Sequence, residues 1–329
     1  MRVHCETSRS RNSPAKADAA ASETVDVTES GARVTDPRPC PDSGALADFL
    51  DRAFGGEPGI VGEFPTLTGS DNRERSFTLA IEGRIAAHAA WRPVVLRSSA
   101  RRIAAAGIGL VATAHEQRGR GLAQRVVAHC VEQARRAGAE LVFMFGELTP
   151  LYARLGFARA GRERITRIDP EHCKRDARIV AGRPGDAARL LPLLARHALG
   201  AERSAADFER VLAVPETHLH ILEGPDSALA YCVEGKGRDL QGVVHEWAGE
   251  PAHVATLLRG VVASAEQPLW LLSPESLEAP LDGAHALGAL ALFRVLRPER
   301  LGASDATELL GDEQRPAHLP VYLWGLDSV

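Results

Sequence analysis

Little in this sequence speaks for secretion, membranes or metals. The five cysteines (Cys5, Cys40, Cys130, Cys173 and Cys232) are odd in number and far apart, and none forms a Cys-x-x-Cys or Cys/His pattern. A disulfide framework or a structural zinc site needs such spacing, so the thiols fit a reducing, cytoplasmic compartment. No apolar run approaches the ~20 residues that span a bilayer. The longest, near residues 103–114, has the length of a strand. The N-terminus has no apolar core of the secretory kind. Lysine occurs only at positions 16, 174 and 236, so positive charge is carried by arginine. A net charge of −4 gives no general basic field, which argues against nucleic acid or an anionic membrane as partner.

What is present describes an ordinary globular chain. With 329 residues, 45% of them hydrophobic and 25% charged, it has room for about two domains. Residues 1–43, rich in Ser, Ala, Pro and charge, read as a disordered tail with at most a short strand at 32–35. From Gly44 the apolar positions Leu46, Phe49, Leu50 and Phe54 share one helical face. Residues 76–81 and 85–96 predict a hairpin about Glu82-Gly83, and residues 103–114 a buried strand. Leu122, Val126, Val127, Cys130, Val131 and Ala134 form the stripe of a long helix, with Gly138 at its C-terminal cap. Residues 141–145 predict a central strand, and Thr149-Pro150 opens a short helix that Gly156 ends.

Between the buried strand and the long helix lies Gln117-Arg118-Gly119-Arg120-Gly121-Leu122-Ala123. A glycine turn running into a helix presents free backbone N–H groups at the positive end of the helix dipole, a setting made for a pyrophosphate. A dinucleotide fingerprint would put a third glycine where Gln124 stands, and a P-loop would need Lys-Ser/Thr. With the apolar strand before it and the amphipathic helix after it, Arg118-x-x-Gly121-x-Ala123 resembles the acyl-CoA-binding motif of the GCN5-related N-acetyltransferases (GNAT). Leu151-Tyr152-Ala153-Arg154-Leu155-Gly156-Phe157 resembles the same family's Tyr-x-x-x-Gly-Phe segment, and Phe64-Pro65-Thr66-Leu67, Asn72, Gly83-Arg84-Ile85 and Ala112-Thr113-Ala114-His115 look like one branch of it. The resemblance covers roughly residues 44–168.

The resemblance implies an α/β (α+β) fold: a mixed, mostly antiparallel sheet flanked by helices. It implies acetyl-CoA as cosubstrate and no metal. Backbone groups of Leu110, Val111 and Ala112 would pair with the pantetheine arm. N–H groups of Gly119, Arg120, Gly121, Leu122 and Ala123 would hold the pyrophosphate, with the Arg118 side chain nearby. Tyr152 matches the general acid, and a phenol of pKa about 10 suits a departing thiolate. An amine attacks the thioester directly, so no enzyme nucleophile is needed. For the base, Glu147 stands near the right place, with a helix N-terminal role as the competing reading. In the enhanced-intracellular-survival acetyltransferases, the tandem-domain branch, the C-terminal carboxylate enters the site, which makes Val329 a candidate.

A second cycle of elements begins near Ala177, with strands at 178–181, 218–222, 228–234, 242–247 and 267–272. Helices are expected at 185–197, 204–212, 251–265 and 283–290, with a last strand at 292–296. The fold unit is thus expected twice: a catalytic copy at 44–175 and a degenerate one at 176–329. At the second turn Glu250 brings negative charge and Pro251 has no N–H to give. The histidines His218, His220 and His245 lack the third evident ligand of a zinc site. The expected activity is acetyl transfer to a primary amine of a small molecule or peptide. An oligomer is compatible with it, and a non-catalytic CoA-sensing protein is the alternative.

Overall fold

A computed structural model describes residues 34–40, 42–56, 59–98, 101–147, 149–171, 173–265, 267–281, 283–310, 319 and 321–327. Strand β1 (Arg38–Pro39) is followed by three helices, α1 (Ser43–Ala53), α2 (Ile60–Glu63) and α3 (Pro65–Thr68). Strands β2 (Ser76–Ile81), β3 (Arg84–Arg97) and β4 (Arg102–Thr113) form an antiparallel meander. Next come α4 (Leu122–Arg136), β5 (Leu141–Met144), α5 (Pro150–Arg154) and β6 (Ala158–Ile168). The C-terminal half contains β7 (Ile179–Ala181), α6 (Ala187–Leu194), β8 (Gly200–Ala201), α7 (Ala205–Leu212), β9 (His218–Glu223), β10 (Ala228–Glu234) and β11 (Val243–Gly249). It ends with α8 (Pro251–Ala265), β12 (Leu269–Pro274), β13 (His285–Val295) and α9 (Ala306–Leu310).

Local chemistry explains where these elements begin and turn. Asp42 caps α1, its carboxylate accepting from the N–H groups of Gly44 (2.9 Å) and Ala45 (3.0 Å). Glu82 and Gly83 both have positive φ, 49° and 79°, the backbone of a tight hairpin turn between β2 and β3. Ser204 caps α7 by accepting from the Asp207 N–H at 3.0 Å. Val34 bridges Ile81 and β1 pairs with β2, so ordered chain on this edge begins before Gly44.

All the described strands belong to one sheet, in the order β1-β2-β3-β4-β5-β13-β6-β12-β11-β10-β9-β7, with β8 paired to β3. Two neighbouring pairs are parallel, β4 with β5 and β11 with β12, and in each a long helix, α4 or α8, makes the crossover. The rest of the named pairs are antiparallel. The helix expected at 283–290 is a correction: residues 285–290 open strand β13. Ala and Leu favour a helix there, but β6 offers ladder partners along one side, from His285↔Thr166 to Ala289↔Arg162, and β5 joins on the other from Leu292↔Met144, so pairing overrides propensity. A strand from the C-terminal half thus completes the sheet of the N-terminal half.

Two cores lie on opposite faces. On one, Val126, Val127, Cys130 and Ala134 of α4 pack on Ala87, Ala89, Trp91 and Ile108; each buried valine contributes about 1.5–3 kcal/mol. The other holds Phe49 and Leu50 of α1 with Leu96, Leu110 and Phe143, and continues through Phe208, Tyr231, Leu257 and Trp324 of the C-terminal half. Within that half Arg203 is buried between two carboxylates. Its guanidinium donates to Glu246 (2.7 and 2.9 Å) and to Asp327 (2.7 and 2.9 Å), and the Tyr231 hydroxyl donates to Glu246 at 2.9 Å.

Candidate active site

The site is built where two parallel strands part. β4 and β5 pair only from Ala105↔Leu141 to Gly107↔Phe143. Beyond that point β4 runs on to Thr113, whereas β5 stops at Met144. The gap at their carboxyl ends is a cleft of ≈ 570 Å³, walled by Val111, Ala112 and Thr113 of β4 and by the N-terminus of α4. Leu151, Tyr152 and Arg154 of α5 close its far side, and Ala53 and Phe54 at the end of α1 its rim. Phe54 is exposed although apolar, and its ring edges this cleft.

The glycine turn has the geometry an anion needs. Gly119 (φ 77°) and Gly121 (φ 73°) both lie in the left-handed region, which glycine enters without a steric penalty. A Cβ built on either would meet nothing within 4 Å, so the backbone faces open space. Gly121 caps α4, and among the described residues no side chain accepts from the first turn, so those N–H groups remain available. Arg118 and Arg120 are exposed beside them, and the Arg120 guanidinium donates to the Gln117 side-chain carbonyl. The turn before α8 is different. A Cβ on Gly249 would lie 2.7 Å from the Ala230 Cβ and 2.7 Å from the Leu229 carbonyl oxygen, so that glycine serves close packing against β10. Glu250 pairs with Arg196 at 2.8 Å, and Pro251 begins the helix.

The Tyr-x-x-x-Gly-Phe segment is a helix stop that fixes its tyrosine. The Phe157 N–H donates to the Tyr152 carbonyl (3.0 Å) and the Gly156 N–H to that of Ala153 (2.9 Å). Gly156 takes φ 78°, and the Tyr152 and Phe157 rings meet edge-on with centroids 6.2 Å apart. These are the bonds and the apolar contact of a Schellman cap. Tyr152 is half-buried, and burial pushes its phenol above the usual range, so it holds its proton at neutral pH. No group among the described residues hydrogen-bonds its hydroxyl.

The cleft therefore brings together Val111, Ala112, Arg118, Gly119, Gly121, Leu122, Ala123 and Tyr152. Leu110 lies buried behind its wall, Arg120 stands outside it, and Glu147 is exposed just past β5. Val329 lies outside the described residues. Among the described residues no three His, Cys, Asp or Glu side chains could hold a metal ion together. His218 instead pairs with Glu234 at 2.8 Å, and His245 is buried against the Gly235 carbonyl at 2.9 Å. No helix among the described residues is long and apolar enough to cross a membrane.

Sequence reasoning overlooked His88, a buried histidine on β3 directly behind the cleft wall. It sits between the Leu110 carbonyl (Nδ1, 2.7 Å) and the Ser76 hydroxyl (Nε2, 2.9 Å). A lone histidine in a continuous buried run, Ala86 to Trp91, carries no signal of its own, because only the β3–β4 register reveals what it faces.

Residues 42–160 match the family model described as an acetyltransferase (GNAT) domain. Among solved structures, the chain is similar to a GCN5-related N-acetyltransferase from Kribbella flavida, with 19% identity, 83% of this chain and 74% of that one covered, and a TM-score of 0.59. It is similar to another from Anabaena variabilis, with 14% identity, coverage of 80% and 73%, and a TM-score of 0.63. Eis1 from Mycobacterium abscessus aligns at 15% identity over 79% and 74% of the two chains, with a TM-score of 0.56. No curated protein matches the sequence.

Proposed function

We propose, from the premise that residues 42–160 are an acetyltransferase domain of the GNAT family, that the chain transfers an acetyl group from acetyl-CoA to a primary amine by direct attack. The observation that carries this reading is one cleft containing both an open glycine turn at a helix N-terminus and a protonated, half-buried tyrosine. The turn from Gly119 to Ala123 supplies N–H groups for the pyrophosphate, and Arg118 adds charge. The pantetheine arm runs along β4 from Leu110 to Ala112, towards Tyr152.

The amine nitrogen attacks the thioester carbonyl carbon, and the electron pair moves onto oxygen. A strand N–H meets that oxyanion. The carbonyl re-forms, the carbon–sulfur bond breaks, Tyr152 gives its proton to the departing thiolate, and the second proton that the nitrogen sheds as the amide forms restores the phenol, directly or through water. The ammonium must shed a proton before attack. Glu147 is the described carboxylate beside the end of β5 and the proposed acceptor of that proton, directly or through water. The C-terminal half, whose own turn is packed and acidic, shapes the approach of the acceptor, a small-molecule or peptide amine.

The test is thiol release from acetyl-CoA across a panel of polyamines, aminoglycosides and peptide amines, alongside calorimetry of acetyl-CoA binding. Binding and release by at least one amine is expected. Gly121→Glu, checked for folding by circular dichroism, should lose acetyl-CoA binding, since its carboxylate enters the anion site. Unchanged binding would sink the phosphate assignment. Binding without release for any amine would favour a non-catalytic CoA sensor.

A further inference from the structure

β4 is irregular where it forms the cleft wall. Its register against β3 jumps from Ala90↔Gly109 to His88↔Ala112, so Ala89 of β3 faces two residues, Leu110 and Val111. This is a β-bulge, a device that re-aims backbone groups next to functional sites. Leu110 takes φ 52°, a left-handed conformation uncommon for a leucine. Such a conformation persists only where neighbouring groups hold it.

The group that holds it is His88. The Leu110 carbonyl can only accept, so Nδ1 carries the proton and donates to it at 2.7 Å. Nε2 of the neutral ring then accepts from the Ser76 hydroxyl at 2.9 Å, which fixes the tautomer. Burial pushes the ring's pKa down to about 4, so it stays neutral throughout the physiological range. The Leu110 carbonyl and the Val111 N–H belong to one trans peptide plane, in which they point in opposite directions. A carbonyl held towards β3 therefore turns the Val111 N–H away from β3, and Val111 is one of the β4 residues that line the cleft. Hydrogen bonding at the carbonyl also polarises that peptide and strengthens its N–H as a donor.

We infer that His88 is a positioning residue for acyl transfer: by holding the Leu110 carbonyl it aims the Val111 N–H at the acyl-pantetheine thioester. The inference rests on the proposed function and adds a residue with no contact to the ligand. It also separates two parts of CoA binding. The turn from Gly119 to Ala123 holds the phosphates without His88, whereas the bulge serves only the pantetheine and thioester.

Two substitutions and two ligands test this. Asn at position 88 can offer an amide N–H near where Nδ1 lies, whereas Gln extends to the Nε2 position and leaves the Leu110 carbonyl without its donor. Calorimetry on the full chain would compare acetyl-CoA with 3′,5′-ADP, which lacks the pantetheine arm. His88→Asn should keep acetyl-CoA affinity within about threefold. His88→Gln should weaken acetyl-CoA about tenfold, the scale of one lost hydrogen bond, and leave 3′,5′-ADP unchanged. Equal losses of both ligands, or equal behaviour of the two variants, would overturn the assignment and leave His88 a packing residue. Wild-type protein that binds no acetyl-CoA would instead refute the proposed function. Should His88→Gln fail to fold, amide NMR of the wild-type chain decides. The Val111 N–H resonance should shift with acetyl-CoA and not with 3′,5′-ADP, and an unmoved resonance overturns the inference.

Discussion

Tyr152 is the residue on which the proposed chemistry turns, and its surroundings suit an acid. Its backbone is held by the Gly156–Phe157 cap, its ring rests on Phe157, and burial raises its pKa. Tyr152→Phe keeps the ring contact and removes only the hydroxyl. Turnover should fall by about 10², the lower range for a general acid, while acetyl-CoA affinity stays near wild type. Because the shift is upward, no loss of the acid form is expected on the basic side of neutrality below pH ~10. Steady-state kinetics on an active acceptor, with calorimetry beside it, would check both points. Turnover that survives the change would move the acid role to water. The tyrosine and its glycine were legible in the sequence because the cap needs glycine at a fixed offset. The ionic partners of Arg203 were not legible, since Glu246 and Asp327 lie 43 and 124 positions away.

At the scale of elements, the strand–turn–helix from β4 to α4 carries most of the site. Its apolar run, its two glycines and its amphipathic stripe each specify one piece locally, which is why the strand, the glycine turn and the helix could be read without coordinates. The bulge at Leu110 had no such mark. It arises from the register of β3 against β4, and its histidine has a consequence for stability. The unfolded ring takes up a proton near its ordinary pKa of 6.5, whereas the folded ring does so only near 4. Between those values the unfolded chain binds more protons, so stability should fall as pH drops from 6.5 towards 4, by up to about 3 kcal/mol from this group. Denaturant melts across that window should show the slope, and His88→Asn should flatten it. An unaltered slope would mean that other groups, the buried His245 among them, set the acid sensitivity.

Taken whole, the molecule is one sheet to which both halves of the chain contribute, with β13 inserted between β5 and β6. Arg203 ties distant parts of the C-terminal half together, bonding β11 through Glu246 and the C-terminal segment through Asp327. Arg203→Met would leave two carboxylates buried without their cation. Breaking such a pair from one side costs about 3–5 kcal/mol, and a fall of that size in unfolding free energy is the expected result. A loss below 1 kcal/mol would show that the carboxylates relax or take up protons on folding. By itself the sequence determined the helix stripes, the hairpin, the glycine turn and the capped tyrosine, because each is specified by residues within a few positions of one another. Only the tertiary structure decided that residues 285–291 extend the last strand, that β4 bulges onto His88, and that Arg203 meets its carboxylates. Those features depend on pairing and burial between segments far apart in the chain, where the energy comes from a neighbour that local pattern does not name.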